Sequence, residues 1–413
     1  MIDKLALPTL LSMTKNLRKL CFHDCDIQHW SEELVSNAIL SLSKLEELRL
    51  HCNDMYHYEN IPFTTLIQGL HRLPYLKKLT LFSRLNTVAN EALCNYIRDP
   101  VASRRLIKLK LSTSLIASPG GIDILQTIPC HHTLQKLTII RPEGMGEPIR
   151  KHHCILLANI MVKCKTIHSI HLRRAGMWTD TLAALVPSEI CNNIHNIKLD
   201  SNSLAYLSAT HFNEAMDNLL SKVPNLRTLH LGNNQLDSNQ AISLGNSIAK
   251  HKLTWLENLT LGSNDIGDTG VTAILKALPP TIKQLYLHGC DIHDDGIIAL
   301  RTAFDHMPEL WGLGLNGNPV TDNGVKILAK ALKDRHKIRD IGITLSEMTD
   351  DGVKTLAHAL ATCKNLRFLY LYTAGFKAAT KVTEEGKTFL RHTIPNNATA
   401  AFDHRLSRYL KTP

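Results

Sequence analysis

Aromatic residues are scarce, at 5% of 413. No stretch approaches the roughly 20 consecutive apolar residues of a membrane-spanning helix, so no transmembrane segment is expected. The opening MIDKLALPTLLSM has a short apolar run but lacks a basic leading segment and a small-residue cleavage site, so no Sec signal is expected. Ten cysteines show no spacing of a disulfide framework. They read as reduced thiols of a cytosol-like compartment. The GxSxG elbow, the phosphate-binding loop and the dinucleotide-type glycine fingerprint are all missing. No enzyme activity, cofactor or catalytic residue is therefore expected.

What is present is ordinary for a folded chain: 44% hydrophobic and 20% charged residues. Lys+Arg number 47 against 37 Asp+Glu, a formal charge of +10. That balance favours acidic partners without choosing among them.

The dominant feature is an internal repeat. Leu-x-x-Leu-x-Leu, with Ile substitutions, begins at Leu17, Leu45, Leu76, Leu106, Leu134, Ile167, Ile194, Leu226, Leu256, Ile282, Leu310, Ile338 and Leu366. The mean spacing is about 29 residues. The cleanest copies are Leu226-Arg-Thr-Leu229-His-Leu231-Gly-Asn-Asn234-Gln-Leu236 and Leu256-Glu-Asn-Leu259-Thr-Leu261-Gly-Ser-Asn264-Asp-Ile266. Apolar residues at the fourth and sixth positions alternate with polar ones, the period of a half-buried strand. The second half of each repeat switches to helical spacing, as in VTAILKAL after Gly270, VKILAKALK after Gly324 and VKTLAHALA after Gly352. One such strand–helix unit cannot bury its own apolar face, whereas stacked copies can.

This pattern resembles the leucine-rich repeat motif L-x-x-L-x-L-x-x-N/C-x-L. The period and helical second halves are similar to the ribonuclease-inhibitor-like class. The resemblance implies an α/β fold: a right-handed curved α/β solenoid, or horseshoe, of about 13 strand–helix repeats with a parallel concave sheet and outer helices. It also implies that the ninth residue, Asn53, Asn202, Asn234, Asn264 or Asn318, is a rung whose amide satisfies the turn leaving the strand. Cys25 and Cys290 hold the same position. Residues 1–16 are expected to form an N-terminal helical cap, 17–375 the solenoid, and 376–413 a C-terminal helical cap and tail. Within that tail, AAFDHRLSRYL reads as an amphipathic helix.

Two segments leave the pattern. Arg84 and Pro142 stand at the rung position, with Asn86 and Gly144 where an apolar residue belongs. Segments 84–90 and 141–150 are therefore expected to be irregular loops that could carry binding. The clusters Cys21/His23/Cys25/His29, Cys130-His131-His132 and His152-His153-Cys154 lack the paired close spacing of zinc sites, and no metal is assigned to them.

If the fourth and sixth positions face the core, then the third, fifth, seventh and eighth face the concave side. In the first seven repeats these are Lys19, Arg49, Lys78, Lys108, Lys110, Lys136, Arg141, Arg173, Arg174 and Lys198, against Asp24, Glu47 and Asp200. The last six hold no Lys or Arg there and one acid, Asp340. They hold instead many glycines, which would let a partner approach the sheet closely. The expected partner-binding residues are Lys78, Lys108, Lys110, Lys136, His171, Arg173, Arg174 and Lys198, with Tyr286, His288, Trp311, Phe368, Tyr370 and Tyr372 at the aromatic end.

These features predict a non-enzymatic protein-interaction module for a partner with an acidic surface. Nucleic acid or anionic phospholipid at the same basic face is the alternative. The irregular repeats and absent Sec signal resemble stand-alone leucine-rich repeat effectors of intracellular bacteria of the Legionella type. That resemblance implies a cytosolic protein or one translocated into a host cytosol, with a host protein as target.

Overall fold

The computed structural model describes residues 6–23, 31–51, 63–142, 146–206, 209–333, 335–344, 347–372, 381–394 and 398–403. The chain divides into two compact units, Met1–Asn202 and Ser203–Pro413.

In the first unit, parallel strands β1 (Lys19–His23), β2 (Glu47–His51), β3 (Lys78–Leu81), β4 (Lys108–Ser112), β5 (Lys136–Ile140), β6 (Ser169–Arg173) and β7 (Asn196–Lys198) pair in chain order. Helices α1 (Ala6–Met13), α2 (Glu32–Leu40), α3 (Thr64–Gln68), α4 (Thr87–Arg98), α5 (Thr113–Ile116), α6 (Gly121–Thr127), α7 (Lys151–Lys163) and α8 (Thr179–Ala184) fall before and between them. The second unit repeats the plan. Its strands are β8 (Thr228–His230), β9 (Asn258–Thr260), β10 (Gln284–Tyr286), β11 (Gly312–Leu315), β12 (Asp340–Thr344), β13 (Phe368–Tyr372) and β14 (Thr399–Asp403). Its helices are α9 (Ala209–Ser221), α10 (Ser238–Lys250), α11 (Gly267–Ala277), α12 (Asp294–Phe304), α13 (Asp322–Leu332), α14 (Asp350–Ala361) and α15 (Glu384–Thr393).

β1 to β13 each begin at the third residue of a sequence repeat, so the strand–helix solenoid follows the repeat pattern. From Leu48 and Leu50 to Leu369 and Leu371, the fourth- and sixth-position residues are buried at 1% exposure or less. Each such side chain contributes up to about 1.5–3 kcal/mol.

The rung asparagines close the turns. Asn264 donates from Nδ2 to the carbonyls of Leu231 (3.0 Å) and Leu261 (2.6 Å), while its Oδ1 accepts from the N–H groups of Asn234 (2.9 Å) and Leu236 (3.1 Å). Asn318 repeats this set two repeats further on, with Leu287, Leu315, Cys290 and Ile292. The buried Cys290 thiol donates to the Leu261 carbonyl at 3.4 Å, which explains why a thiol serves at this position. Asn53 and Cys25 lie outside the described residues.

A second stitch joins the helix starts. Both carboxylate oxygens of Asp294 bind Thr321, through its N–H (3.0 Å) and Oγ1 (2.5 Å). Asp322 holds Thr349, and Asp350 holds Thr383, in the same way. These threonines precede α13, α14 and α15. Gly324, Gly352 and Gly386 have no side chain, and a Cβ there would collide with the Asp of the preceding repeat.

Two expectations need correction. Segment 84–90 is no irregular loop: Leu85 is buried, and Asn86 caps α4 by accepting from the Ala89 N–H at 2.8 Å. Segment 141–150, by contrast, is irregular where described, with Arg141, Glu147 and Arg150 exposed. Within it Ile149 is buried and donates its N–H to the Ala175 carbonyl at 2.9 Å. Finally, residues 400–403 of the expected last helix lie in β14, paired parallel to β13. An adjacent strand edge supplies backbone partners that the amphipathic pattern does not register.

Candidate functional site

In the first unit the register aligns the cations in rows. Lys78, Lys108 and Lys136 are direct neighbours on β3, β4 and β5. Arg49, Thr80, Lys110, Thr138, His171 and Lys198 form the next row. Adjacent strands lie about 4.8 Å apart, and like charges directly opposite each other are destabilising.

The structure sorts these cations into two groups. Glu47 is buried at 5% exposure and ion-pairs with Arg49 and with Lys78 (3.3 Å), so Lys78 is already compensated. By contrast, Lys108, Lys110, Lys136 and Lys198 have no carboxylate within ion-pair distance among the described residues. Lys110 lies over the Phe82 ring at 4.8 Å. Burial pushes its pKa down, with Arg49 and Arg173 adding to the effect. Burial, together with Lys198, Lys108 and Lys110, lowers the pKa of Lys136 to about 8. Lys198 is lowered too, chiefly by burial, against the opposing field of Asp200. Arg173 is half-buried beside Ile140, and its Nε has no hydrogen-bond partner. His171 is half-buried between Thr138 and Lys198.

Arg174 stands apart from these rows. It is exposed in the turn after β6, with φ of 51°. The eighth repeat position is left-handed again at Ser201, Asn233, Ser263, Gly289 and Gly317. Strand alternation therefore ends at the seventh position, and the eighth is a turn residue.

In the second unit the concave glycines are not bare floor. The His288 ring lies over Gly262, and the Tyr286 ring over Gly314, with its Cδ1 2.7 Å from the place of a Cβ. Asn316 covers Gly342 at 2.5 Å. Partner backbone does not reach the sheet at these glycines, because neighbouring side chains already fill the space. Tyr286 is half-buried, and its hydroxyl accepts from Gln284 Nε2 at 3.0 Å. Burial raises its pKa to about 12. Phe368 and Tyr370 are 43% and 37% exposed and stack with centroids 6.1 Å apart. Trp311 lies outside these rows, one residue before β11, with the Arg339 guanidinium 5.9 Å from its ring centre. The backbone of Tyr372 ends β13.

The histidine and cysteine clusters have structural partners. His131 is buried, with Nδ1 accepting from the N–H groups of Thr133 (3.2 Å) and Leu134 (3.1 Å). His153 Nδ1 accepts from the Arg150 N–H at 3.0 Å. Burial lowers both imidazoles to about 4. Cys25 and His29 lie outside the described residues. On the helical side, Gln68, Glu91, Tyr96 and Asp99 line a hollow of about 370 Å³. No helix among the described residues is long and apolar enough to cross a membrane.

Sequence reasoning missed the neutralising role of Glu47 and the half-buried setting of Asp340. The only trace of the former is its third-position register beside Lys78.

The leucine-rich repeat family model matches residues 252–275 and 279–300. No curated protein sequence matches the chain. Among solved structures the chain is similar to an internalin from Listeria monocytogenes, with 16% identity, TM-score 0.43, and 91% of this chain and 90% of that one covered. It is also similar to the yeast Rad7–Elc1 complex structure, with 16% identity, TM-score 0.48, and 99% and 87% covered. A third is the leucine-rich repeat-containing protein LegL7 from Legionella pneumophila, with 15% identity, TM-score 0.42, and 70% and 90% covered. In repeat pattern and in the fold of each unit, the chain is a leucine-rich repeat protein.

Proposed function

We propose that this protein is a non-enzymatic interaction module that captures a partner protein through an acidic surface. The basic strand face of the first unit is the contact. The observation that carries this reading is the set of four lysines, Lys108, Lys110, Lys136 and Lys198, with no carboxylate partner among the described residues. Three of them are half-buried and have lowered pKa values. Mutual repulsion and desolvation burden the free protein, and the attraction of an approaching carboxylate offsets both. Fixed cations of one sign raise the association rate with acidic partners and disfavour basic ones.

The wider setting proposed is that of a bacterial effector acting in a host cytosol. It rests on the likeness of the repeat style to such effectors.

Nucleic acid is the second reading, favoured by the same charge. Against it, the one cation–π contact of these lysines among the described residues is that of Lys110 over Phe82, a ring thereby already covered. Base stacking would need more aromatic surface.

The test compares wild type with a variant carrying Lys108→Gln, Lys110→Gln, Lys136→Gln and Lys198→Gln, matched for circular dichroism. Each is titrated with a poly-glutamate peptide and with a single-stranded RNA. Each is also used to capture proteins from nuclease-treated eukaryotic lysate. Supporting results are poly-glutamate affinity and a nuclease-insensitive protein partner, both lost in the variant. Capture that depends on RNA, or equal capture by both proteins, overturns the proposal.

A further inference from the structure

Asp340 opens β12 and is half-buried. Its backbone neighbours are Gly312 on β11 and Phe368 on β13. Among the described residues its carboxylate makes no hydrogen bond and no ion pair. Its surroundings are built from the neighbouring strands. Tyr286 reaches across the glycines of β11, placing its hydroxyl 3.3 Å from the position of a Cβ on Gly312. On the other side stand the stacked, part-exposed rings of Phe368 and Tyr370, inclined by only 17°. Two residues along β12, Asn316 lies over Gly342, and its Oδ1 is buried with no hydrogen-bond partner among the described residues.

The place thus offers two unsatisfied acceptors, Asp340 and Asn316, beside open aromatic surface. An acceptor left unmatched inside a protein carries a desolvation penalty, larger for a charged group. Arg339 and Arg367 act on Asp340 only through their field, and Arg339 lies over Trp311. Burial dominates, holding Asp340 above the usual carboxylate range.

We propose that this face of the second unit binds an arginine side chain of a partner polypeptide, with Asp340 as its anchor. A guanidinium fits the inventory. It is planar, carries five N–H donors, pairs two of them with one carboxylate and stacks on aromatic rings. An ammonium supplies donors from one point and has no plane to stack. The surface is open at Phe368 and Tyr370, which suits a side chain presented by a polypeptide. This inference is independent of the basic face, because none of its residues belongs to the first unit.

The test is calorimetric titration of the full chain with N-acetyl-Gly-Arg-Gly-amide and its lysine and citrulline counterparts. Expected results are binding of the arginine peptide, at least about fivefold weaker binding of the lysine peptide, and none of the citrulline peptide. Asp340→Asn is expected to weaken arginine binding by at least about tenfold while leaving the melting temperature unchanged or raised. Phe368→Ala is expected to weaken it severalfold, and the four-glutamine variant of the first unit is expected to bind as wild type. Three results would each overturn the proposal: equal binding by Asp340→Asn, equal binding of lysine and arginine peptides, or no arginine binding up to about 10 mM.

Discussion

Asn264→Ala removes one rung and leaves the backbone path of the turn intact. The amide makes four buried hydrogen bonds, two as donor and two as acceptor. Asn264 itself is 4% exposed, so water does not readily replace them. At about 1 kcal/mol net for each bond, the loss is about 4 kcal/mol. It exceeds the transfer of a few side-chain atoms because two N–H groups, on Asn234 and Leu236, lose this acceptor. Asn264→Cys is expected to cost less, since the Cys290 thiol already serves the Leu261 carbonyl from the next rung. The assay is hydrogen–deuterium exchange resolved by peptide, alongside urea denaturation. Repeat arrays open locally, so the faster exchange is expected first at residues 231–236 and 261–266. A total loss below about 1 kcal/mol, or uniform exchange along the chain, would refute the assignment of the amide as the element closing these turns.

Gly324→Ala tests the second stitch. The new Cβ meets Asp294 Oδ1 and Val320 Cγ1, so a loss of about 1–3 kcal/mol is expected despite alanine's better helix propensity. Adding Asp294→Ala makes room, and the double variant should lose less than the two single variants together in thermal melts. Lys136 gives a pH signature. Its folded-state value of about 8 lies below the ordinary 10.5, so the unfolded chain holds more protons between those limits. Its penalty is present in full below pH 8 and is relieved as pH rises toward 10.5. Urea midpoints at pH 7.5 and 10 should therefore rise less in Lys136→Met than in wild type, and identical rises would contradict the assigned burial.

Much of the fold is legible in the residues because its strongest terms are periodic. Leu48 and Leu50, or Leu229 and Leu231, sit at fixed steps from a repeat start, and a two-residue alternation can bury them only as strands. Charge on the strand face follows from the same alternation, which placed Lys108, Lys110, Lys136 and Lys198. Arg174 broke the extrapolation because the left-handed turn begins there, and alternation carries no information beyond the end of a strand. Asn86 reads as a defect in the leucine pattern, yet it is a helix cap with a partner three residues on. The tail at 400–403 failed for a different reason. Its conformation is set by the open edge of β13, a partner distant in sequence.

The sequence by itself determined the repeating strand–helix plan, the buried positions and the sign of charge along the first unit. These are local or periodic properties, encoded within about 29 residues at a time. Only the tertiary structure decided which charges are spent and which are available. Glu47 neutralises Lys78 on the next strand and Arg49 on its own, while Lys136 meets only like charges. Tyr286 and Asn316 fill the glycine floor and frame Asp340. Those outcomes depend on distances between side chains of different repeats, and stacking register alone sets such distances.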